Sequence, residues 1–259
     1  MAGEATGVNR DQLVAGTVDL PEGRRAVVWY DDAMHPVDTR GVVPSRAAPS
    51  DSVNDSGQVT GTAGAAGAER AFVWQDGDLT WLPTPGGATS ESLGITGNGH
   101  VRGTISTLGA VVWQPDGTVR RLDPQGLGFV PTDMSERGEV VGVVPASGGD
   151  TRPAIVRRDD QVRLLPSFGG YVGSAQAVNE RGVTAGWTRT TRFGADHAAY
   201  WHRGVPWRAG EEISDQVVRA GRAHDVNEDN WIVGSVQVRD RTGTRWVEVA
   251  AFWEMIPEI

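Results

Sequence analysis

The sequence predicts an all-β fold, a six-bladed β-propeller with four short antiparallel strands per blade, on three observations. A block whose copies align on a closing glycine, with VNDSGQVTG as its fullest form, occurs six times: VNRDQLVAGT (8–17), VNDSGQVTGT (53–62), ITGNGHVRGT (95–104), MSERGEVVGV (134–143), VNERGVTAGW (178–187) and VNEDNWIVGS (226–235). A second block follows each copy: AVVW ending at Trp29, AFVW at Trp74, AVVW at Trp113, AIVR at Arg157, AAYW at Trp201 and AAFW at Trp253. The chain is also rich in turn formers, with 35 Gly and 14 Pro, and it shows no helical periodicity.

Each element follows from this pattern in order. Strand A leads into the N-x-x-G turn, strand B runs through V-x-G, strand C is the AFVW block, and strand D follows an Asp-Gly turn such as QDGD or QPDG. A period of about 43 residues for four strands is that of a propeller blade, which must stack on neighbours to bury its faces. The expected blades are 3–47, 48–89, 90–128, 129–172, 173–217 and 218–259, within one domain spanning 1–259. The sixth leaves only EMIPEI for a strand D, so it either ends in a short edge strand or has three strands. Trp29, Trp74, Trp113, Trp201 and Trp253 are expected to be buried at equivalent positions.

The residues SAQAVNERGVTAG (174–186) and RAFVWQDG (70–77) carry a resemblance to the HAF-repeat family, a β-propeller family of bacterial proteins. The resemblance covers nearly the whole chain and implies the fold while saying little about activity. Thr96 and Ser135 stand where that repeat has Asn, Gln12 and Asn230 where it has Gly, and Arg157 where it has Trp.

Composition narrows the chemistry. Cysteine and lysine are absent, which excludes thiolate nucleophiles, Cys-ligated metals, disulfides and lysine Schiff bases. The net charge of −9, with no run of Arg longer than two, argues against nucleic acid or an anionic membrane as partner. No secretory leader and no apolar stretch of membrane-spanning length is visible, so a cytoplasmic monomer is expected. No His/Asp/Glu cluster has ligand spacing, and no cofactor or metal is expected.

Tight A–B and C–D turns lie at one end of each blade. The long B–C and D–A loops, such as TRTTRFGADH (188–197) and VQVRDRTGTRW (236–246), lie at the other, where a pocket is expected. Alternation along strand A puts small residues on one face and a polar set on the other. From that set Asp51, Glu91, Gln176, Arg222 and His224 are the candidates nearest a ligand. His224 with Asp51 or Glu91 forms a candidate catalytic pair, because imidazole titrates near neutrality and a carboxylate can set its tautomer. The plainer reading is that these groups hydrogen-bond backbone and water. Trp187, His197, Trp246 and Tyr171 border the long loops as candidate substrate-binding residues.

The loops differ in all six repeats, which favours one asymmetric central pocket over repeated lectin sites. The functional expectation is therefore a propeller that binds a small organic molecule, in its enzymatic form a cofactor-independent lyase, isomerase or cyclase of bacterial secondary metabolism. The alternatives are a non-catalytic protein-interaction scaffold and, behind it, a glycan-binding lectin.

Overall fold

A computed structural model describes residues 2–210, 212–213 and 216–255. The chain divides into two compact units, Met1–Asp123 and Pro124–Ile259. In the first, three sheets follow one another: β1 (Gly3–Val8), β2 (Val14–Leu20), β3 (Gly23–Tyr30) and β4 (Ala33–Pro36); β5 (Ser45–Ala47), β6 (Val59–Ala63), β7 (Arg70–Gln75) and β8 (Asp78–Trp81); β9 (Ser90–Ile95), β10 (Val101–Ile105), β11 (Gly109–Trp113) and β12 (Val119–Arg121). The second unit contains β13 (Val130–Met134), β14 (Val140–Pro145), β15 (Thr151–Val156) and β16 (Val162–Leu164), then β17 (Gly173–Val178), β18 (Thr184–Arg189), β19 (Asp196–His202) and β20 (Val205–Arg208). A two-stranded ladder, β21 (Glu212–Ile213) with β22 (Gln216–Val217), precedes a three-stranded sheet of β23 (Ala220–Val226), β24 (Trp231–Arg239) and β25 (Trp246–Glu254).

Every repeat thus forms one antiparallel sheet whose strands pair in sequence order, as the turn spacing requires. Ser45–Ala47 opens the second sheet, so the first ends at β4 rather than at residue 47. The sixth sheet has three strands among the described residues, and Ile256–Ile259, the rest of the expected edge, lie outside them.

Two features of the repeat explain its conservation of form within the chain. The last glycine of each copy (Gly16, Gly61, Gly103, Gly142, Gly186 and Gly234) sits where a Cβ would come within 2.0 to 2.4 Å of a strand-A carbonyl. The turn Asn organises its own loop: Asn179 Oδ1 accepts from Arg181 N (3.1 Å) and Val183 N (3.0 Å). Its amide reaches the next sheet. Asn9 Nδ2 donates to Asn54 O (3.1 Å), Asn54 Nδ2 to Thr96 O (2.9 Å), and Asn179 Nδ2 to Asn227 O (2.8 Å).

Apolar residues collect where neighbouring sheets meet, for example Ala15, Val28, Val53, Phe72 and Leu79 between the first two sheets. Within each unit this is the burial that a lone sheet cannot achieve. Trp113 and Trp201 are fully buried, and their indole N–H groups donate to Pro83 O (2.8 Å) and Pro166 O (2.7 Å). Trp29, Trp74 and Trp253 hold the same register position but are only partly buried.

The fourth sheet corrects the alignment. Val140 pairs with Val156, just as Val14 pairs with Trp29 and Val101 with Trp113, so Val156 and not Arg157 occupies the tryptophan position. Phe129 compensates. Its ring lies against Gly142, as the Trp29 and Trp113 rings lie against Gly16 and Gly103.

Strand A does not alternate simply. The pairing of strand A with strand B slips by one residue in five sheets, leaving Thr6, Leu93, Thr132, Gln176 and His224 as the extra residue of a β-bulge. In the second sheet Asp51 occupies this position with φ 44°, after an insertion that makes Ala47, and not Ser50, the partner of Gly61.

Candidate functional site

The second unit gathers the candidates that the bulge and the long loops place together. Arg189 and Asp196 face each other across β18 and β19, with Arg189 Nε 2.6 Å from Asp196 Oδ1. From β23, Arg222 Nε donates to Asp196 Oδ2 at 2.7 Å, and its Nη2 bonds the same oxygen. Asp196 is largely buried and Arg222 half exposed, so one carboxylate ties the fifth sheet to the sixth. Both guanidiniums flank Trp187, with Arg222 Cζ at 4.7 Å and Arg189 Cζ at 5.5 Å from ring centroids.

The bulge turns His224 outward beside this network. Its Nε2 lies 3.3 Å from Ser235 Oγ. Arg222, which pairs with Ser235 in the ladder, lies alongside. A cavity of about 330 Å³ is lined by Asp196, Arg222, His224, Ser235, Gln237 and Glu248. Ser235 and Gln237, two residues apart, point to one face, and Glu248 stands opposite Gln237 on β25. Of the cavity's lining, Asp196 starts β19, and Ala220 and Gly221 start β23. The cavity offers guanidinium and amide donors, carboxylate acceptors and one imidazole.

The other candidates lie apart from this cavity's lining. Asp51 and Glu91 belong to the first unit, and each is engaged by an arginine: Arg102 Nη2 is 2.8 Å from Asp51 Oδ2, and Arg46 Nη2 is 2.7 Å from Glu91 Oε1. The Arg102 side chain is buried and also bonds Ser50 Oγ (2.7 Å). Gln176 donates to Ser174 Oγ at 2.5 Å. Trp246 has the guanidiniums of Arg239 (4.4 Å) and Arg219 (5.5 Å) over its ring. Tyr171 is exposed on a loop where its N–H donates to Ser167 Oγ. Sequence reasoning missed Asp196, Ser235, Gln237 and Glu248. Asp196 could have been found from its place at the end of the 188–197 loop, whereas Ser235, Gln237 and Glu248 lie inside β24 and β25 and come together only through the strand pairing.

His197 neighbours Asp196 on β19, and its imidazole is held below the ordinary value of 6.5 by burial, then by the Arg208 charge, with Asp196 acting the other way. The folded protein therefore disfavours the imidazolium. As pH falls below about 6.5 the unfolded chain binds the proton first, and this contribution to stability is lost down through the folded midpoint. An NMR titration should give His197 a midpoint below 6.5 that rises in Arg208→Gln. A midpoint above 6.5 would contradict the burial seen here.

Among the described residues no group of three or more His, Cys, Asp or Glu is placed to hold a metal ion, and no helix is long and apolar enough to cross a membrane. No family model and no curated protein matches the sequence. Among solved structures, TolB from Acinetobacter baumannii is similar at 12% identity with a TM-score of 0.53, over 98% of this chain and 55% of that one. A gluconolactonase of Xanthomonas campestris is similar at 12% identity with a TM-score of 0.39, over 79% of this chain and 78% of that one. The likeness to TolB shows the β-propeller fold alone, and the chain spans about half of that protein's length.

Proposed function

We propose that this chain is a small-molecule-binding β-propeller whose ligand occupies the cavity between Arg222, His224, Gln237 and Glu248. The observation that supports the reading is that cavity: about 330 Å³, near the lower bound of small-molecule sites, with donors and acceptors converging beside an arginine-flanked indole. Groups of both signs suit a compact polar ligand that carries an anionic group and hydroxyl or amino groups. Arg222 would hold the anion, Glu248 and Gln237 the hydrogen-bonding groups, and Trp187 would back the guanidinium.

The enzymatic form of this reading, a cofactor-independent lyase, isomerase or cyclase, rests on His224. An exposed imidazole beside Ser235 Oγ can take a proton from a ligand and return it elsewhere without a cofactor.

Titrating hydroxy acids and amino acids against tryptophan fluorescence should reveal a ligand that perturbs Trp187. Its affinity should fall about tenfold or more in Arg222→Ala, the usual cost of losing a hydrogen bond to a charged group. His224→Ala should abolish turnover while keeping stability within about 0.5 kcal/mol, because the side chain is exposed. Equal binding by the parent and both variants would reject this site.

A further inference from the structure

At the tight-turn end of the second unit, opposite the cavity described above, lies a concavity of about 590 Å³ lined by Arg137, Glu139, Arg157, Arg158, Arg181, Gly182, His202 and Arg203. Five guanidiniums and an imidazole face one carboxylate there, in a chain whose net charge is −9. We propose that this concavity is an anion site for a ligand carrying at least two linked phosphate groups.

The repeat shows that the cluster is built rather than scattered. Arg137 and Arg181 occupy the third position of the A–B turn, where the other repeats have Asp11, Ser56, Asn98 and Asp229. The ladder register makes Arg157–Arg158 equivalent to His202–Arg203 at the start of the C–D turn. There the other repeats have Tyr30–Asp31, Gln75–Asp76, Gln114–Pro115 and Glu254–Met255. Three turn positions thus become basic together in two adjacent sheets, and elsewhere they are neutral or acidic.

Acidic neighbours account for part of this charge. Glu180 pairs with Arg137 (3.4 Å), Glu139 with Arg157 (3.0 Å), and Asp159 in the C–D turn is committed to Arg163. Arg158, Arg181 and Arg203 make no ion pair with any described residue, and they come from three different turns. One phosphate group carries roughly −1.5 to −2, which leaves three guanidiniums under-neutralised, whereas two linked groups match them. Arginine is the residue suited to this: its planar fork bonds phosphate oxygens in pairs.

The test is calorimetric titration of the full chain with inorganic triphosphate, with orthophosphate as the single-group control. Triphosphate should bind, orthophosphate should bind at least tenfold more weakly, and raising salt from about 50 to about 200 mM should weaken triphosphate binding severalfold. Arg181→Ala with Arg203→Ala should reduce triphosphate affinity at least tenfold with an unchanged melting temperature, because both side chains are exposed. Arg222→Ala, at the other end of the unit, should leave it unchanged. No triphosphate binding, equal binding of the two anions, or full affinity in the double variant would overturn the proposal. Loss of binding in Arg222→Ala alone would assign the anion to the other cavity and overturn it as well.

Discussion

Gly186→Ala is expected to cost roughly 3 kcal/mol or more, enough to leave the second unit unfolded or barely folded at ambient temperature. A Cβ at this position would stand 2.1 Å from the carbonyl oxygen of Ser174 and 3.1 Å from Ala175 Cα. Both obstacles are backbone, so no rotamer change relieves them. The strands would have to separate, breaking the β17–β18 ladder just where the bulge between Ala175 and Ala177 already interrupts it. Gly204→Ala is the fitting comparison, since that residue has φ 81° and open space around it, and the cost there is limited to about 1–2 kcal/mol of left-handed strain. Urea denaturation of the two variants should separate them clearly. A Gly186→Ala protein as stable as Gly204→Ala would mean that the two strands do not approach this closely.

The same glycine explains why so much of the fold was legible. All six copies answer one steric problem, so the residue recurs at a fixed place and its period reveals the sheet count. The turn Asn is legible for the same reason: each copy must cap the same backbone N–H groups. The bulge was not legible, because an extra residue in a strand leaves no compositional mark. It shifts the parity on which the inward and outward assignments rest, and it is what turns His224 toward Ser235. Arg157 was misaligned because the fourth sheet fills its tryptophan site from Phe129, far away in sequence.

Site residues were legible only where one residue type was unusual. Arg222, His224 and Trp187 stood out as polar or aromatic groups beside long loops, whereas Asp196 and Glu248 are ordinary carboxylates until the strands pair. Charge misled in the same way. An acidic total and arginine runs of two conceal a basic concavity, because the turns that bring Arg137, Arg158, Arg181 and Arg203 together are spread over six strands of the chain.

Asn179→Ala should destabilise the protein by roughly 2–3 kcal/mol, more than a turn residue normally contributes. Asn179 is 2% exposed and its amide serves both neighbours at once. Oδ1 accepts from the N–H groups of Arg181 and Val183, and Nδ2 donates to Asn227 O and to Asn230 Oδ1 (2.9 Å) in the next sheet. Truncation leaves the buried Val183 N–H without its acceptor, an unmade bond that costs about 1–3 kcal/mol, and removes one of two donors to the Asn227 carbonyl, which still accepts from Asn230 N (3.1 Å). Thr96 supplies the internal contrast. At the equivalent position its hydroxyl accepts from His100 N (3.1 Å) and donates to Asn98 Oδ1 (2.6 Å) but has no amide to reach a neighbouring sheet. Thr96→Ala should therefore cost only about 1 kcal/mol. Asn179→Ser should fall between the two, keeping an acceptor for the turn and losing the link to Asn227. Chemical denaturation that ranked Asn179→Ala level with Thr96→Ala would show that the inter-sheet amide contributes nothing, and that each turn stabilises only its own sheet.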